Sequence, residues 1–130
     1  MARPEIKVEG ARELRKALKN VEDGTADLKS VHADAAHVVE LRATQIVPRK
    51  TGRLAESIRS TGQARQGVVR AGKASVPYAG PIHFGWPAYN IAPQPFLYDA
   101  LDQRATEVID LYQQRVDKLI KDNGLKGGVG

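Results

Sequence analysis

The sequence predicts an α+β domain in which long amphipathic helices cover one face of a small, mainly antiparallel sheet. Three observations carry this. Residues 27–47 and 96–122 both repeat apolar side chains at helical spacing. Between them, residues 58–85 break into short apolar stretches separated by Gly- and Pro-marked turns, as strands do. The chain has 130 residues and is 42% hydrophobic, which suffices for one core without covalent staples.

In order, Ile6-Lys7-Val8-Glu9-Gly10 alternates apolar and polar residues and ends at a glycine, which predicts a short strand. Residues 11–22 place Leu14, Ala17, Leu18 and Val21 at helical spacing, with Arg12, Arg15, Lys16 and Lys19 on the other face. Asp23-Gly24-Thr25 offers a break, with Asp23 or Thr25 able to cap a helix beginning there. Residues 27–47 give the strongest helical stripe: Leu28, Val31, Ala35, Val38, Val39, Ala43 and Ile46. Gly24 weakens a continuous helix over 11–47 without forbidding it, so one helix and a helix pair both fit. Pro48 ends the helix, because the residue before a proline avoids helical torsions.

Next, Thr51 is placed to N-cap a single turn that ends near Ser57, with Leu54 and Ile58 on its buried face. The Thr-Gly pair among basic residues could also suggest a phosphate nest. No Walker spacing accompanies it, and a capped corner joining helix to sheet is the preferred reading. Strands are expected at Ile58-Arg59-Ser60, at Val68-Val69-Arg70-Ala71-Gly72 and, third, at residues 82–86; Ile6 to Val8 can add a fourth. Residues 87–95 form a loop marked by Pro87, Pro93 and Pro95, and Pro95 suits the first turn of the last helix. That helix spans 96–122 on a stripe of Leu97, Leu101, Ala105, Val108, Tyr112, Val116 and Leu119. Asp99 and Asp102 stand early and Lys118 and Lys121 late, as the helix dipole prefers. Asn123-Gly124 stops it. Residues 1–122 are thus expected to form one domain and 123–130 a flexible tail.

Composition narrows function. There is no cysteine, so disulfides, thiolate metal sites and a Cys nucleophile are excluded. No run is long enough to span a membrane, and Met1-Ala2-Arg3-Pro4 opens no secretory signal, so a cytoplasmic setting without membrane partners is expected. His32 and His37 are five apart, a spacing that does not align two imidazoles, and they read as partly exposed polar positions. His83 reads as a hydrogen-bonded structural histidine within the third strand, or as a residue at a subunit interface. The patterns GxSxG, Walker, HExxH and GxGxxG are all absent, so no enzyme, metal or cofactor is expected.

The net charge is +5, but its distribution is uneven. From Leu41 to Tyr98 there are eight basic residues and one acid, Glu56, giving 8 − 1 = +7. Arg49, Lys50, Arg53, Arg59, Arg65, Arg70 and Lys73 are therefore candidates to face DNA or an acidic protein. A solvated sheet face is the plainer explanation. Residues 78–97 concentrate the rigid apolar side chains: both Phe, the only Trp, two of four Tyr and four of seven Pro. Trp86, Tyr89 and Phe96, with Pro93 and Pro95, are candidate anchors of an interface between subunits, since aromatic anchors dominate interface energetics.

Several motifs also occur in a fixed order over residues 10–120: Pro48, Thr51-Gly52-Arg53-Leu54 and Ser57-Ile58, then Tyr78-Ala79-Gly80, His83-Phe84-Gly85 and Pro93-Gln94-Pro95-Phe96-Leu97. In that order the chain resembles the small neck or tail-completion proteins of long-tailed bacteriophages, the siphoviruses. The resemblance implies a structural virion protein at the head–tail junction. It implies a sixfold ring that completes the tail or joins it to the head connector, with DNA passing through its lumen. Neck, tail-completion and tail-terminator protein all suit it. The implied partners are further copies of the chain, connector or stopper, tail-terminator or tail-tube proteins, and passing genomic DNA without sequence preference. Assembly would take place in the cytoplasm of the bacterial host. A small basic nucleic-acid-binding module is the alternative; against it, the aromatic residues come after the basic run instead of interleaving with it.

Overall fold

The computed structural model describes residues 3–9, 24–48, 52–63 and 65–122. The helix expected over 11–22 and the tail at 123–130 lie outside them. The fold is α+β; among the described residues, five helices pack against a three-stranded antiparallel sheet. Strand β1 is Glu5–Val8, and the long helix α1 is Gly24–Ile46. A corner helix α2, Arg53–Ser57, leads into β2, Arg59–Gly62, and β3, Gly67–Arg70. Then come α3, Ala79–Phe84, a 3-10 turn at Pro87–Tyr89, α4, Phe96–Gln103, and α5, Ala105–Asp122.

The sheet order is β1-β3-β2. Its register sets Ile6, Val69 and Ser60 in one cross-strand row and Val8, Gly67 and Gly62 in another. Both rows face α1. The Ser60 hydroxyl donates to Glu40 Oε1 at 2.8 Å. A Cβ on Gly62 would lie 2.6 Å from the Ala33 Cβ, and one on Gly67 would lie 2.5 Å from the His32 carbonyl oxygen. Real Cβ atoms do not approach so closely, so the helix rests on the sheet where the sheet has no side chains. The helix reciprocates with alanine: Ala35, Ala36 and Ala43 are fully buried. The core continues through Val31, Val39, Leu54, Ile58, Phe96, Leu97, Val108 and Tyr112.

Two expected elements differ. Residues 82–86 do not make a third strand: Ala79–Phe84 is helical, and β1 occupies the place beside β3. A short apolar run fits either period. Pro81 falls in the first turn of α3, where its missing N–H would have had no partner, and Ile82 N–H donates to Tyr78 O at 3.0 Å. The last helix is two helices, broken at Arg104 (φ −109°, ψ 11°) with no glycine or proline to announce it. Each part keeps a buried face, Phe96, Leu97 and Ala100 in α4 and Val108 and Tyr112 in α5. The side chain of Gln103 accepts a hydrogen bond from Arg42 Nε at 2.7 Å, tying the end of α4 to α1.

The corner at α2 is held by a polar clamp. Gly52, at φ 79°, leads into α2 from the left-handed region and provides no side-chain cap; Thr51, expected as the cap, lies outside the described residues. Buried Ser57 donates its hydroxyl to Leu54 O at 2.7 Å and accepts from Gly72 N–H at 2.9 Å. Arg59 Nη1 donates to Ser57 O at 2.9 Å and to Gly72 O at 2.8 Å. Gly72 must be glycine: its φ is 91°, and a Cβ there would sit 2.8 Å from that of Ala79. Ser57→Ala strands the buried Gly72 N–H, and urea unfolding should show a loss of about 1–3 kcal/mol. An unchanged midpoint would mean that the clamp contributes nothing.

Candidate functional site

The site is built on the return from α3 to α4. Gly85 leaves α3 at φ 80°, and a Cβ there would lie 2.9 Å from the ring of Pro93. Trp86 and Ile91 then pair as an isolated antiparallel bridge, with Trp86 N–H to Ile91 O at 2.8 Å and Ile91 N–H to Trp86 O at 3.1 Å. Inside this bridge, Tyr89 N–H donates to Trp86 O at 2.9 Å, and Asn90 turns the chain at φ 56°, which Asn tolerates better than most residues. Gln94 N–H donates to Ile82 O at 2.8 Å and ties the returning strand to α3. The loop is thus fixed by its own backbone.

Its tip is aromatic and open to solvent. Tyr89 is 66% exposed and Trp86 37%, and their rings stand edge to face with centroids 4.4 Å apart. Pro93 is exposed and Pro95 partly so. Phe96, expected among the anchors, is instead a core residue at 2% exposure, because it begins the buried face of α4. Pro95 is the N-cap of that helix, and its carbonyl accepts from Asp99 N–H at 2.8 Å.

Beside the loop lies a groove of about 540 Å³, walled by Pro48, Leu54, Tyr78, Ile82 and Ile91 and rimmed by Arg53 and Gln94. These residues come from the end of α1, the α2 corner, α3 and the loop. No single periodicity in the sequence could have gathered them. Phe84 and Tyr98 are a second exposed aromatic pair, centroids 6.3 Å apart. Tyr98 stands off the apolar stripe of its helix, a signal the sequence did carry.

Beneath that pair sits His83. Its ring is fully buried and meets Phe84 at 4.6 Å, Phe96 at 5.0 Å and Tyr98 at 4.6 Å, all edge to face. Neither ring nitrogen has a hydrogen-bond partner, contrary to the expected hydrogen-bonded histidine. Burial pushes its pKa down to about 4, against the opposing pull of Asp99. A neutral imidazole walled by aromatic rings is a packing element.

His32, expected to be partly exposed, is buried by the docking of α5. Its Nδ1 shares a 2.6 Å hydrogen bond with the Tyr112 hydroxyl, which also lies 3.5 Å from Val8 O. Burial, with Glu9 adding to it, raises the Tyr112 pKa well above its ordinary value. His37 is exposed as expected and stands 3.5 Å from Glu40.

Among the described residues, the basic candidates do not form one free patch. Arg59 and Arg70 are opposite each other in the sheet, but Arg59 is engaged in the corner clamp and Arg70 lies 3.4 Å from Glu5. Arg53 rims the groove, whereas Arg65 and Lys73 are exposed in the connections that flank β3. Arg49 and Lys50 lie outside the described residues. Among the described residues no group of three His, Asp or Glu could hold a metal ion, and no helix is long and apolar enough to cross a membrane. No protein-family model, curated protein or solved structure matches the chain.

The histidine gives a pH prediction with a definite sign. Between pH 6.5 and about 4, the unfolded chain takes up a proton on His83 that the folded chain refuses, so stability falls as pH falls through that window. The full effect is on the order of 3 kcal/mol. Urea unfolding at pH 7 and pH 4.5 should therefore show His83→Leu losing about 2 kcal/mol less than the parent chain. Equal losses would contradict a neutral, buried His83.

Proposed function

We propose that this chain is a structural, non-catalytic subunit of the head–tail junction of a long-tailed bacteriophage. It assembles as a ring, hexameric by the family resemblance, that completes the tail or joins it to the head connector. DNA passes through the lumen. The single observation that best supports this is the Trp86–Tyr89 tip: a stiff, uncharged aromatic projection fixed by its own backbone and open to solvent. Side chains this apolar are costly to leave in water and mark a docking surface. A rigid tip also loses little entropy on binding.

The arrangement of titratable groups points the same way. His83 lacks a polar partner, and the His32–Tyr112 pair is buried between a helix and a strand. Neither faces an open cleft beside a nucleophile, as acid–base catalysis requires. Arg65 and Lys73 are exposed cations suited to loose contact with phosphate. The other described basic candidates are at least partly occupied within the fold or at the groove. A bare electrostatic DNA-binding surface is therefore the weaker reading.

Replacing Tyr89 with Ala tests the proposal in complementation of a phage lacking this chain. The variant should stay folded, within about 0.5 kcal/mol of the parent, as surface changes do. Joined particles should fall sharply, with free heads and free tails accumulating. If Tyr89→Ala and Trp86→Ala particles both join normally, the aromatic tip is not the docking element.

A further inference from the structure

We propose that a second copy of this chain pairs with the outer edge of β1, strand against antiparallel strand, so that two sheets join across a twofold axis. The inference goes beyond the proposed ring, because a twofold contact closes at two copies and builds no ring by itself.

The ladder fixes which backbone groups are open. Ala71 N–H donates to Pro4 O at 3.1 Å, and the register continues with Ile6 opposite Val69 and Val8 opposite Gly67. In an antiparallel pair, residues that exchange backbone bonds alternate with residues that do not. Pro4, Ile6 and Val8 therefore turn their backbone groups to β3, while Glu5 and Lys7 turn theirs to the outer edge. Among the described residues no strand pairs with that edge. Pro4 does not weaken it, since the missing N–H would point at β3.

Charge selects the occupant and its register. The exposed face of this stretch reads Arg3, Glu5, Lys7, Glu9, and between them Pro4, Ile6 and Val8 are buried. An added strand must set its own edge-facing residues opposite Glu5 and Lys7. For a second β1 this leaves three central registers. Glu5 opposite Glu5 also puts Lys7 against Arg3. Lys7 opposite Lys7 also puts Glu5 against Glu9. Both oppose like charges throughout, which is destabilising. The third register sets Glu5 opposite Lys7 of the second copy and Lys7 opposite its Glu5, with Arg3 and Glu9 falling opposite each other as well. Every facing pair then has opposite signs. Charges on an edge usually prevent pairing; this alternation blocks the slipped pairings and permits one.

The flank of the edge has room for the added strand. An open concavity of about 420 Å³ is lined by Glu5, Ile6, Lys7, Tyr98 and Leu101, and Tyr98 is 49% exposed. In the matched register Ile6 of the second copy falls opposite Ile6 on the buried face, placed to cover Tyr98 and Leu101. The twofold axis repeats this cover on the other copy. From Arg3 to Glu9 the edge runs roughly 24 Å at about 3.4 Å per residue, a full strand's length.

Exchanging charges tests the pairing on the full chain, at exposed positions. By light scattering at high concentration the parent should show twice the mass of one chain. Glu5→Lys brings lysine against Lys7, and Lys7→Glu brings glutamate against Glu5. Each variant alone should self-associate roughly tenfold more weakly, with an unchanged circular dichroism spectrum. An equimolar mixture of the two restores both opposite-sign pairs and should dimerise as the parent does. A chain carrying both changes should dimerise with itself. A monomeric parent would overturn the inference. Single variants that associate like the parent would overturn it too, as would a mixture that stays monomeric. None of these results touches the ring reading, which depends on whether the chain is found at the junction of particles.

Discussion

The structure depends on how closely α1 lies on the sheet. Gly62 and Gly67 present no side chain to the helix, and any Cβ there would collide with its backbone carbonyls and alanines. With alanines opposite, helix and sheet approach until dispersion contacts are made along the whole face and water is excluded. The remaining core is arranged around this contact. Ile58 and Leu54 close it at the corner, Phe96 and Leu97 at the start of α4, and Val108 and Tyr112 along α5. Polar ties then fix the angles: Ser60 to Glu40, Arg42 to Gln103 and Arg115 to Asp34.

That scaffold explains why the aromatic loop can be rigid and exposed together. The loop contributes little to the core; its base is anchored by Gly85 against Pro93, by the Trp86–Ile91 bridge and by Gln94 to α3. The cost of holding Tyr89 and Trp86 in water is carried by a fold that does not need them inside. Such an arrangement suits a subunit whose affinity is used between molecules.

The motifs that suggested a phage junction protein turn out, residue by residue, to serve the fold. In Thr51-Gly52-Arg53-Leu54 and Ser57, Gly52 opens the corner helix, Leu54 fills the core and Ser57 clamps β3. In Tyr78-Ala79-Gly80 and His83-Phe84-Gly85, Ala79 packs on Gly72, His83 fills the aromatic cluster and Gly85 permits the turn. Helix α1 and the stripe through Leu97, Val108 and Tyr112 were legible because amphipathic periodicity survives any tertiary context. The short helix α3 was not, since Ile82 and Phe84 favour strands locally and β1, from far along the chain, claimed the position beside β3. The charge excess of residues 41–98 was legible as composition. That Arg59 and Arg70 are engaged within the fold depends on strand register, which composition does not contain. The groove was invisible for the same reason, being assembled from separate segments.

The proposed role at the junction is tested by immunogold imaging of intact phage particles with an antibody against this chain. Label should be confined to the junction between head and tail, on joined particles and on whichever free half receives the ring first. Particles that carry no label, while the chain is present in the infected cell, would contradict a structural role at the junction.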